Sequence, residues 1–67
     1  MNDQIQHLQA QLMALYESQV TLLVGLRRRD IEDLLHQAEE LQHSTTFTLR
    51  TAAEINRAAC LRVLGKF

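Results

Sequence analysis

Between Leu26 and Leu64 the chain contains neither Gly nor Pro, and apolar or small residues return every seven positions. Ile31, Ala38, Thr45, Ala52 and Ala59 fall on one line, with Leu34, Leu41, Thr48 and Ile55 on the line beside it. Residues three, four and seven apart share one face of an α-helix, so this pattern predicts a long amphipathic helix. An earlier segment has the same character. Ile5, Leu8, Leu12, Leu15, Leu22 and Leu26 alternate by three and four with Gln19 as the polar member, and Tyr16 and Leu23 widen the stripe. The two segments predict an all-α antiparallel hairpin, one helix over about 3–26 and the other over about 31–64, forming a single helical domain across 1–67.

The frame breaks at Gly25–Asp30, where continuing the first register puts Ile31, Leu34 and Leu35 on the wrong face. A helix-stopping Gly lies there, followed by Arg27, Arg28 and Arg29, which suit a helix C-terminus, and by Asp30 at the N-cap position of the next helix. A continuous helix with a stutter is the alternative. A hairpin brings Leu15 and Thr45 within about 20 Å, whereas one straight helix separates them by about 45 Å. A second doubtful point is Ser44-Thr45-Thr46-Phe47-Thr48. Its β-branched residues lower helix propensity, and Ser44 could cap a third helix near 43–46. The heptad register survives across this stretch and favours one long helix over a three-helix bundle.

Composition narrows the fold and the compartment. At 67 residues with 46% hydrophobic residues, no Pro, no Trp and only Gly25 and Gly65, nothing resembles a sheet with tight turns or a disordered linker. A chain this short buries a modest fraction of its surface, so completion by oligomerisation or a partner is expected. The run Leu22–Leu26 is far shorter than the roughly 20 residues that span a bilayer, and Met1–Gln4 has no signal-peptide character, which points to a cytoplasmic protein without a membrane partner. The lone Cys60 agrees with a reducing compartment.

Candidate chemistry is sparse. His36 and His43 lie seven apart near Glu39 and Glu40, but a helical metal site uses ligands one turn apart plus a third from elsewhere, and that spacing is missing. Cys60 has no neighbouring His to act as its base, so it reads as a buried thiol. No phosphate-binding loop, paired Cys or serine elbow is present. The expectation is a non-enzymatic protein with no catalytic, metal or cofactor residues.

Charge is segregated although the net value is −1. Three Arg at 27–29 form a turn with scope for electrostatic contact, acids cluster between Asp30 and Glu40, and Arg50, Arg57, Arg62 and Lys66 make the C-terminal part basic. The near balance argues against a polyanion as principal partner. The excess is instead apolar. With Ile31, Ala38, Ala52 and Ile55 facing the first helix, Phe47, Ala53, Cys60, Leu61, Leu64 and Phe67 form a second stripe, and a helix apolar on two sides is buried on two sides. These six residues are the expected partner-binding surface, for another copy or for a client.

The text Gln19-Val20-Thr21-Leu22-Leu23, then Leu26-Arg27-Arg28-Arg29-Asp30-Ile31-Glu32-Asp33-Leu34 and Glu39-Glu40-Leu41, resembles the N-terminal hairpin of FlgN-type flagellar export chaperones over residues 16–41. The resemblance implies a small, cytoplasmic, non-enzymatic chaperone or adaptor that shields an amphipathic segment of a secreted partner, a logic shared by small type III secretion chaperones. Rop-type hairpins, which dimerise into four-helix bundles and contact RNA, are a second shape analogue, and small phage- or plasmid-encoded inhibitors are a third. On this reading Leu34→Glu unfolds the chain, whereas Leu61→Glu with Leu64→Glu removes association and leaves the fold.

Overall fold

A computed structural model describes residues 2–67, with side chains from residue 3 onward. The chain forms three helices, α1 (Asn2–Val24), α2 (Arg28–Leu41) and α3 (Phe47–Leu64). The fold is all-α, and of the two architectures that the sequence allowed it takes the three-helix one. Leu15 shares a depression with Phe47 and Thr48, so the chain does reverse after α1.

The first reversal is tighter than expected. The α1 helix ends at Val24, Leu26 donates its N–H to the Leu23 carbonyl at 3.0 Å, and Arg27 is extended at φ −71° and ψ 150°. α2 begins at Arg28, so Asp30 lies in its first turn instead of capping it, and no side chain caps this N-terminus. The Arg triplet therefore belongs to the start of α2 and not to the end of α1. Two carboxylates compensate for cations placed at the wrong end of the helix dipole. Arg28 Nε donates to Glu32 Oε1 at 2.9 Å, and Arg27 Nε lies 3.8 Å from Asp30 Oδ2. Gly25 has no positive φ, and an added Cβ would meet only the Leu22 carbonyl at 3.9 Å, so the turn does not require a glycine.

The second reversal, at Gln42–Thr46, overturns the continuous helix over 31–64. Ser44 Oγ accepts the Thr46 N–H at 3.1 Å, and Thr46 is extended at φ −84° and ψ 119°. A short hydroxyl side chain here offers the backbone a partner that a helix would otherwise supply, and two β-branched residues follow it. Arg50 closes the corner by donating from Nη1 to the Ser44 carbonyl at 3.4 Å. The seven-residue beat that runs through this corner is a coincidence of two separate helices.

α3 packs against both other helices, while α1 and α2 hardly touch. Paired positions along α1 and α3 advance together: Leu12 and Leu15 lie by Phe47, Glu17 Oε1 meets Arg62 Nη1 at 3.0 Å, and Val24 lies by Val63 and Phe67. α1 and α3 are thus parallel, with α2 running the other way. The core gathers where the three converge, from Val20 and Leu23 of α1, Ile31 of α2, and Ala59, Cys60 and Val63 of α3, with Tyr16, Leu35 and Leu64 packed around it. Ile31 and Cys60 are its largest fully enclosed side chains. Ala38 and Ala53 are also buried, and small residues at such positions let helices approach closely.

The face of α1 that is buried is the edge of the predicted stripe, where Tyr16 and Leu23 widen it, and not its line of leucines. Tyr16, Val20 and Leu23 turn inward, roughly a fifth of a turn round the helix from Ile5, Leu8, Leu12, Leu15 and Leu22, all of which remain exposed. The resulting body is open. It measures 42 × 26 × 15 Å, and its radius of gyration is 12.9 Å against about 11 Å for a compact domain of this length. Its accessible surface is 5346 Å², where a folded monomer of 7.7 kDa exposes about 4,300 Å².

Truncation separates the two faces of α1. Leu23→Ala should cost about 2–5 kcal/mol, because it opens a cavity at the helix junction, whereas Leu22→Ala should change stability by less than about 0.5 kcal/mol. Urea denaturation midpoints of the two variants check this.

Candidate functional site

A trough runs along the face where α1 and α2 diverge. Gln19 and Leu23 of α1 form one wall and Leu34, Gln37, Ala38 and Leu41 of α2 the other, with Asn56 and Cys60 of α3 at the floor, around a groove of about 250 Å³. Because α1 and α2 are both held by α3 and not by each other, the space between them stays open. Gln19 and Asn56 also line a neighbouring depression with Leu15, Ala52 and Ile55. That depression shares Leu15, Ala52 and Ile55 with a notch of about 230 Å³ between α1 and α3, whose other walls are Leu12, Phe47, Thr48 and Thr51. The three concavities form one path down the molecule.

Its lining decides its chemistry. Leucines, isoleucine and alanines supply most of the surface, and the polar groups are amides and hydroxyls; no charged side chain takes part. Such a surface suits an apolar helix face, with Gln19, Gln37 and Asn56 available to hydrogen-bond at fixed points. Cys60 is the one titratable group in it, and burial pushes its thiol pKa up, so the thiol stays protonated and unreactive at neutral pH.

The residues expected to bind a partner do not form one stripe. Ala53 and Cys60 are buried, and Leu64 packs against the core, so these three are committed internally. Phe47 is 73% exposed at the rim of the notch, while Phe67, 63% exposed, lies at the opposite end by Val24 and Lys66. Leu61 is exposed and stands apart from the trough. The expectation assumed a single helix over 31–64, and the break at Gln42–Thr46 resets the angular relation between its halves. Ile31, Ala38 and Ile55 do turn inward in whole or part, but Ala52 is exposed.

Arg27 and Arg28 are engaged with carboxylates at the tip, although exposed pairs of this kind contribute little to stability. His36 Nδ1 lies 3.9 Å from Glu39 Oε1 on the surface, and His7 meets Gln11 at 3.3 Å. Among the described residues no group of three or more His, Cys, Asp or Glu is arranged to hold a metal ion, and no helix is long and apolar enough to cross a membrane. Of the trough residues only Cys60 is among those expected to bind a partner; Gln37 and Asn56 carry no sequence signal, and Gln19, Leu23, Leu34, Ala38 and Leu41 fall on the predicted seam of the hairpin. Leu34 and Leu41 were visible as a line of their own, assigned to the interior of the hairpin.

No family model matches the chain, and no curated protein or solved structure matches it either.

These placements reverse the mutational expectation. Leu34 is 38% exposed at the trough wall, so Leu34→Glu should keep the fold, whereas Leu64→Glu drives a carboxylate against the core and should unfold the chain. Far-ultraviolet circular dichroism and amide NMR dispersion of the two variants distinguish these outcomes. The Cys60 thiol should react with an aromatic disulfide reagent only at the rate at which the helices open, and become fully reactive in denaturant.

Proposed function

We propose that this chain is a non-enzymatic protein-binding module, a cytoplasmic chaperone or adaptor, which shields an amphipathic helical segment of a partner in the trough between α1 and α2. One observation carries the reading: α1 and α2 hardly touch, and between them lies a groove over α3 lined by leucines, alanine and uncharged amides, with no charged side chain. A fourth helix laid there would complete a bundle, which is the commonest way for an open arrangement of amphipathic helices to bury its remaining faces. The resemblance to FlgN-type export chaperones over residues 16–41 points the same way, and a secreted client is the partner that it suggests. A Rop-type role at nucleic acid has less support, because Arg27 and Arg28 are spent on neighbouring carboxylates and the net charge is −1.

Site-specific photo-cross-linking tests the trough in the native cell. A photoreactive residue at Gln37 should yield a discrete partner adduct, and one at Glu39, on the far side of α2, should not. Adding Leu41→Glu should remove the Gln37 adduct by placing a charge in the apolar wall. Equal adducts from Gln37 and Glu39, or an adduct indifferent to Leu41→Glu, would reject the trough as the docking site.

A further inference from the structure

The trough accounts for one open face, but the N-terminal half of α1 carries another. Ile5, Leu8, Leu12 and Leu15 are 55%, 58%, 41% and 56% exposed, and they form a narrow three-four-three seam of the kind that helices pair along. The first turns of α1 run past the start of α3, since it is Leu12 that lies by Phe47. Ile5 and Leu8 therefore project beyond the bundle, while the notch beside Leu12, Leu15, Phe47 and Ile55 stands unfilled.

We propose that this seam pairs with the same seam of a second copy of the chain, antiparallel, about a two-fold axis that passes between Leu8 and Leu12 at the level of residue 10. The spacing of the four residues is the same read in either direction. An antiparallel pair centred at that level sets Ile5 opposite Leu15 and Leu8 opposite Leu12, and the two-fold repeats both contacts. This register carries the projecting Ile5 and Leu8 of each chain across the α1/α3 notch of the other. A parallel pair would stack Ile5 on Ile5 and leave both notches empty. The product is a four-helix layer of α3, α1 and their two-fold mates.

Two further observations favour a second copy over a charged client. The positions flanking the seam are Gln4, Gln9 and Gln11, so two copies meet without like-charge repulsion and no charge pattern selects a different helix. The surface exceeds that of a folded monomer of this mass by about 1,000 Å², close to the roughly 800 Å² per partner that a standard interface removes. The pairing covers the notch at one end of the path and leaves the groove between α1 and α2 open.

Sedimentation velocity between about 1 and about 100 µM should show a species of twice the 7.7 kDa chain mass at the upper end, dissociating on dilution. Leu8→Glu with Leu12→Glu should hold the single-chain mass throughout while the amide signals of α2 and α3 persist, since neither side chain belongs to the core. Leu34→Glu with Leu41→Glu should leave the dimer intact. In a Cys60→Ala background, mixing an Ile5→Cys chain with a Leu15→Cys chain should give the mixed disulfide in preference to either self-disulfide. A wild-type chain that stays single at about 100 µM, a dimer that survives the seam charges, or an Ile5→Cys self-disulfide as main product would overturn the proposal. A dimer lost only with the Leu34 and Leu41 charges would also overturn it, placing the second copy in the trough. Cross-linking at Gln37 to a different protein would stand or fall separately.

Discussion

The structure depends on the enclosure of Ile31 and Cys60 where three helices converge. Ile31 opens α2 and Cys60 lies near the end of α3, so their burial fixes the antiparallel pairing of those helices and sets α3 against Val20 and Leu23 of α1. Away from that junction, α1 and α2 are joined mainly by the three-residue turn Gly25–Arg27. With Ala38, Ala53 and Ala59 lining the approach, α2 comes close to α3, and α1 is left to take the other flank. The open trough follows from that arrangement: a central helix wide enough for two neighbours keeps those neighbours apart.

The pattern of apolar positions identified the helical class, the first reversal and the presence of unpartnered apolar surface. It failed in the assignment of faces. A leucine stripe from Ile5 to Leu22 looks like the natural inner seam of a hairpin, but α3 packs on its widened edge, Tyr16 and Leu23, together with Val20, which the stripe did not include. Single-helix periodicity reports that a stripe exists, and only the packing partner decides whether the stripe turns inward. Ala53, Ala59 and Cys60 illustrate the converse. Small side chains give a weak hydrophobic signal, yet they occupy the most enclosed positions because close helix approach demands them.

The second corner shows a local signal losing to a global one on paper and winning in the fold. Ser44, Thr45 and Thr46 each favour leaving the helix, and the Ser44 hydroxyl bonds the Thr46 N–H as such residues do in turns. A heptad register that continued across them outweighed this evidence in the sequence reading. Once the corner is recognised, the six residues proposed as one stripe separate into buried positions, the notch rim, the C-terminal end and, for Leu61, open surface. The trough was legible only as a surplus of leucine, because its walls come from helices whose relative angle no linear pattern records.

The near absence of contact between α1 and α2 also bears on the order in which the chain can acquire structure. During synthesis the first two helices leave the ribosome with no partner for each other, since the surface that would hold either one is α3. The residues that close the core, Ala59, Cys60 and Val63, lie in α3 and are made after both other helices. Folding of this unit therefore waits for α3, and a nascent chain stalled before α3 presents two bare amphipathic helices to whatever surrounds it.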